Sequence, residues 1–150
     1  MGNTGKVAAA LAAVSMVAAF PASANAMSNA EKLRRLDIML MVTGLRCRTG
    51  ADNFQADYGR FTTNHITELN AASDELKREL TGRPGGPVRA LDRLSVMMAN
   101  TYGQGHPWLG CRELRQVARN LAQARGSAPL IAAADQLLAE SSSSQVVLSR

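Results

Sequence analysis

Between Phe54 and Leu80 the apolar residues recur at steps of three and four and never alternate. Wound at 3.6 residues per turn, Phe54, Tyr58, Phe61, His65, Leu69, Ala72, Leu76 and Leu80 fall within an arc of about 100°. That spacing predicts one long amphipathic helix packed on a core, with Asp52 as its cap and Gly82 as its end. No other stretch alternates long enough to suggest a strand, so the expected class is all-α.

Four more helices follow from the same reading. Ser28-Asn29-Ala30-Glu31 has the form of a capping box and opens a helix along Leu33, Leu36, Leu40 and Cys47. Ile38, Met39 and Met41 widen its apolar face, which predicts a central position, and Thr49-Gly50 stops it. The connector 82–87, rich in Gly and Pro, leads to a helix from about Pro87 with Val88, Leu91, Leu94, Met98 and Tyr102 inward. After a loop at 103–110, Cys111 starts a helix that buries Leu114, Val117, Ala118 and Leu121 up to Gly126. Ser127 can cap a fifth, with Ile131, Ala134, Leu137 and Leu138 facing in and a frayed Ser-rich tail from about residue 141. The expected fold is a small antiparallel bundle of about five helices.

Residues 1–26 read as a cleaved secretory signal. A basic start ending at Lys6 precedes an apolar run from Val7 to Phe20, and Ala24-Asn25-Ala26 is a small-residue cleavage site. The run is about fourteen residues, short of the ~20 a membrane helix needs. Met27, rather than Cys, follows the site, which disfavours a lipid anchor. The expected mature chain is Met27 to Arg150, a single domain without a transmembrane segment, periplasmic or secreted in a Gram-negative envelope.

An exported chain with two cysteines, Cys47 and Cys111, is expected to join them. The bridge closes a loop of about 64 residues, for which chain entropy gives roughly 4 kcal/mol. It would tie the end of the first helix to the start of the fourth. A structural role is indicated, since the Cys-x-x-Cys spacing of redox pairs is absent. Charge narrows little further. Lys6 leaves with the signal, so the mature chain sits one below the full chain's +5, and Lys32 and Lys77 are its only lysines. Such a balance permits an anionic partner without specifying one.

The distinctive stretch is Gly105-His106-Pro107-Trp108-Leu109-Gly110-Cys111, which holds the chain's one tryptophan. One reading is structural: Trp108 covers the disulfide and His106 bonds a backbone carbonyl. The other is a small aromatic recognition pocket with Tyr102, His106 and Arg112 at its mouth. Arg112, Arg115 and Arg119 share a stripe of about 60° opposite the apolar face, either a solvated surface or, with Arg46 and Arg48, a basic end. His65, inside an apolar arc, is expected to be a buried residue bonded to Thr43 or Ser95. Two His and two Cys fit no metal spacing, and no haem, phosphate-loop, dinucleotide or nucleophile-elbow motif is present. No catalytic residue, cofactor or metal is therefore expected, nor binding to nucleic acid.

Leu33-Arg34-Arg35-Leu36-Asp37-Ile38-Met39-Leu40-Met41-Val42-Thr43, Arg46-Cys47-Arg48, Met98-Ala99-Asn100-Thr101-Tyr102-Gly103 and the Trp108 loop through Cys111 together resemble a family of small exported alphaproteobacterial proteins with two cysteines. Some relatives are labelled S-adenosylhomocysteine hydrolase. That enzyme is a much longer NAD-dependent protein with a doubly wound dinucleotide domain, and none of its motifs occurs here. The resemblance carries over no functional residue. The functional expectation is a non-enzymatic periplasmic module that binds an envelope protein or an anionic envelope component. It would use Tyr102, His106, Trp108, Arg112 and Arg115. The alternative is a conditional stress chaperone of the envelope, like small helical acid-stress chaperones in size, compartment and cysteine count alone.

Overall fold

A computed structural model describes the backbone of residues 27–147 and the side chains of residues 27–138. The expected signal segment, 1–26, lies outside the described residues. Among these the regular structure is entirely helical: α1 (Asn29–Arg46), α2 (Gln55–Asn64), α3 (Ile66–Glu79), α4 (Gly86–Thr101), α5 (Cys111–Gln123) and α6 (Ser127–Val147). The helical bundle and its single disulfide are as expected, with six helices in place of about five.

The first helix is the axis of the bundle. Ser28 is its cap, extended in backbone, with its hydroxyl accepting the Glu31 N–H at 3.1 Å. Leu33, Leu36, Ile38, Met39, Leu40, Thr43 and Gly44 are all buried, so α1 is covered on most of its circumference. All five other helices pack against it. Gly44 has a specific reason to lack a side chain: a Cβ there would come within 3.3 Å of the Phe54 ring, itself fully buried. The buried Thr43 hydroxyl donates a hydrogen bond to the Met39 carbonyl at 2.7 Å.

The long second helix of the sequence reading divides at His65, whose φ of −116° and ψ of 22° are not helical. The division has a visible purpose in hydrogen bonding. His65 Nε2 lies 2.7 Å from the Leu121 carbonyl, and Asn64 Nδ2 donates to the Ala122 carbonyl at 2.8 Å. Both carbonyls belong to the last turn of α5, where the helix ladder ends, and that of Leu121 also accepts the Ala124 N–H at 3.1 Å. Thr43 and Ser95, the expected partners of His65, are engaged elsewhere, Thr43 with α1 and Ser95 with Arg34. The break lets α2 lie along α5 while α3 lies along α1.

Two smaller expectations also change. Asp52 does not cap α2. The cap position falls on Phe54, which makes no side-chain cap bond, and Asn53 just before it accepts the Gln55 N–H at its Oδ1 at 3.0 Å while its Nδ2 donates to the Arg48 carbonyl. Val88 is 61% exposed, while on α6 Leu130 is fully buried and the expected Ile131 packs half-buried against the core. The α6 backbone continues as helix through the serine run to Val147, where no Gly or Pro interrupts it.

Cys47 and Cys111 are joined, with Cα atoms 5.7 Å apart. Cys47 caps the end of α1 and Cys111 is the first residue of α5, so the bridge fixes one helix end on another. Replacing both cysteines by Ser is expected to lower stability by about 4 kcal/mol, measured by urea unfolding against the oxidised protein. A loss under about 1 kcal/mol would remove the bridge from the principal constraints on this fold.

Candidate functional site

Between α4 and α5 the chain has no regular structure, yet its backbone is held at several points. Gly105, at φ 106°, turns the chain so that its N–H reaches the Tyr102 carbonyl at 2.9 Å. The Arg46 guanidinium, from the end of α1, donates to the Gly103 carbonyl at 2.9 Å. His106 then occupies the interior, 8% exposed. Its Nδ1 lies 3.3 Å from the Leu109 amide and 3.5 Å from the Trp108 amide, while its Nε2 lies 3.2 Å from the Leu137 carbonyl of α6. These partners assign the tautomer: Nε2 carries the hydrogen and Nδ1 accepts. Burial lowers the imidazole's pKa below its ordinary value, partly offset by the bond to Leu137.

Trp108 packs edge-on against the His106 ring, with centroids 4.3 Å apart, and remains 40% exposed. Neither reading of the sequence describes this arrangement fully. Leu109, rather than Trp108, lines the cleft against the disulfide, a space of about 230 Å³ bounded also by Thr43, Arg46, Gln104 and Leu114. Of the residues expected around an aromatic pocket, His106 lines this cleft, whereas Tyr102 and Arg112 do not. Tyr102 is 1% exposed and lies beneath the surface, where it supports the loop. Tyr102 stacks on His106 at 6.2 Å. Burial raises its phenol pKa, and the nearby Arg35 charge works in the opposite direction.

The arginines also separate in role. Arg112 follows the disulfide directly, with a side chain 78% exposed and a pairing to its neighbour Glu113 at 3.2 Å. Arg115 is tied down: it pairs with Asp52 at 3.2 Å and donates to the Ala51 carbonyl, also at 3.2 Å. It therefore joins α5 to the segment between α1 and α2. Arg119 turns toward the buried carboxylate of Asp57 at 3.4 Å, which also receives Arg60 at 2.7 Å. Of the five residues singled out from the sequence, Trp108 and Arg112 present substantial surface, and Tyr102, His106 and Arg115 hold the frame.

Glu113 escaped the sequence reading. Its carboxylate accepts the Gly110 N–H at 3.2 Å, and its own backbone N–H, then Arg112, hold its pKa below the usual carboxylate range. The glutamate three residues after Gly110 was the available signal, half of a capping box. On another side of the molecule an open cavity of about 540 Å³ is lined by Asn64, His65, Glu68, Gln123 and Arg125, with His65 Nδ1 3.9 Å from the Glu68 carboxylate. Among the described residues no group of three or more His, Cys, Asp or Glu side chains converges as a metal site would. No described helix is long and apolar enough to cross a membrane.

Compared with protein-family models, curated proteins and solved structures, the chain matches none.

Stability measurements separate displayed side chains from structural ones. Trp108→Ala and Arg112→Ala are each expected to cost about 1 kcal/mol or less, against the ~3–5 kcal/mol of a core Trp truncation. Arg115→Ala is expected to cost more than Arg112→Ala, because it leaves a half-buried pairing broken. Equal midpoints for the two arginine variants in urea unfolding would contradict this division.

Proposed function

We propose that this protein is a non-enzymatic partner-binding module of the bacterial periplasm, belonging with the exported two-cysteine proteins its motifs resemble. Trp108 and Arg112 would make the contact. One observation carries the reading: the only tryptophan of the chain is held at the surface by a buried, fully hydrogen-bonded histidine beneath it. An exposed indole gains most from contact with a partner, and Trp and Arg are the residues most enriched where binding energy concentrates. Holding the loop before contact spares the ordering cost that a mobile loop would incur on binding.

The chemistry of the pair indicates the partner. An indole seeks an apolar recess, and the exposed guanidinium of Arg112, four residues on, can reach a carboxylate or phosphate beyond its pairing with Glu113. An envelope protein offering an apolar hollow with an acidic rim satisfies both. The disulfide suits an oxidising compartment, which agrees with the leader-like residues 1–26.

The test places a photo-crosslinking aromatic residue at position 108 in the periplasm of a native host, with adducts identified by mass spectrometry. A second copy carries it at Met97, also exposed but on α4. The expected result is one dominant adduct from position 108, absent from position 97 and lost in Arg112→Ala. The same adducts from both positions, or none from 108, would contradict the reading. Many unrelated adducts appearing only in acid would instead identify a stress chaperone.

A further inference from the structure

Each ring nitrogen of His106 serves a different part of the molecule. Nε2–H donates toward α6 at Leu137, while the Nδ1 lone pair receives the amides of the loop that carries Trp108. A proton added at Nδ1 leaves the first bond intact, because Nε2 still carries its hydrogen. On the other side it sets an N–H against the Leu109 and Trp108 N–H groups, so those contacts must break.

We infer that His106 is an acid-operated latch, whose protonation releases loop 104–110 and dissolves the Trp108–Arg112 surface while the helical bundle stays folded. The inference rests on the proposed function for what the latch controls, but the latch itself is a property of the loop.

The surroundings favour such a switch. Arg46 stands beside Gly105 at the loop's entry, and Arg35 lies against Tyr102, which stacks on the His106 ring. Both are cations on the α1 side, and neither is a partner that would stabilise an imidazolium. On the α5 side Glu113 is engaged by the Gly110 amide and by Arg112. Between α1 and α6, Asp135 is paired with Lys32 at 2.8 Å. Among the described residues no ion pair reaches His106. The other histidine, His65, differs in kind: a carboxylate and no amide donor faces its free nitrogen.

Linkage fixes the direction. With its folded-state pKa lowered, His106 contributes stability to the latched form that is fully present above the ~6.5 of a free imidazole. That contribution is lost as the pH falls from there through the folded-state value. The persistence of the bundle follows from the disulfide, which keeps the start of α5 on the end of α1 whatever the loop does.

Trp108 reports directly, being the sole tryptophan. Its fluorescence would be followed between about pH 8 and pH 4 beside far-ultraviolet circular dichroism and the imidazole signals in NMR. The companion variant is His106→Asn, whose side-chain oxygen can stand in for Nδ1 as acceptor and does not titrate. The expected result is a fluorescence transition spread over about two pH units, centred below ~6.5, tracking the His106 imidazole and absent from His106→Asn, with helix content unchanged. Should the variant fail to fold, the match between fluorescence and imidazole titration in the native protein decides alone. The latch is overturned by a transition that persists in folded His106→Asn, by His106 titrating with no fluorescence change, by no titration down to about pH 4, or by helix content falling in step. Crosslinking at position 108 on both sides of the transition separates the two claims. A transition with no adduct at any pH keeps the latch and removes the binding reading. An equal adduct yield at both pH values keeps the binding reading and overturns the latch's control of it.

Discussion

Everything in this fold is arranged around the burial of α1. A helix covered on most of its circumference must find an apolar neighbour in nearly every direction, and the buried positions from Leu33 to Gly44 require that here. The other helices bury their own stripes by lying on it, which joins Leu36, Met39 and Leu40 with Phe54, Phe61, Leu114, Leu130 and Leu138 in one core. Most polar groups inside are satisfied locally or by exchange between helices, while the Tyr102 hydroxyl, His65 Nδ1 and Arg35 Nε have no hydrogen-bond partner among the described residues. Thr43 bonds its own helix, and His65 and Asn64 serve the end of α5. A half-buried carboxylate on α1, Asp37, is held by the Tyr58 hydroxyl at 2.9 Å and by Arg34. Burial raises the Asp37 pKa, and those two partners only partly offset it.

The end of α1 converts this packing into a site. Three attachments hold this region: the disulfide to α5, the Arg46 bond to Gly103, and the packing of Leu109 against the core. His106 adds a fourth from inside, reaching α6. A loop attached at both ends and from beneath has few conformations left, so the direction of Trp108 is set before any partner arrives. Loops positioned by a rigid scaffold are a common place for binding residues, and this one is positioned by side chains more than by turn type.

Much of this was legible in the sequence, and the exceptions share a cause. Periodicity identified the class, the central helix, and the stripes through Leu76, Leu91, Leu114 and Ala134. Cysteine usage identified the bridge. The break at His65 was hidden because the apolar period runs across it without interruption. The weak helix formers Thr62, Thr63, Asn64 and His65 in succession were the available signal, and tertiary hydrogen bonds to α5 decided the outcome. Val88 failed as a core residue because a stripe stays buried only while a neighbour continues beside it. The burial of Tyr102 and His106 was illegible for another reason: it depends on α6 passing over the loop, a contact between residues 31 positions apart. Composition could show that an aromatic cluster was present, but not which ring faces out.

The Trp108 loop should be rigid before it meets the proposed partner, and amide relaxation tests this most directly. In the isotope-labelled protein near neutral pH, the amides from Gln104 to Gly110, Pro107 aside, should give order parameters close to about 0.85, like those of α4 and α5. Values below about 0.6 at Trp108 and Leu109, with the helices rigid, would contradict it and leave the tryptophan exposed but not held.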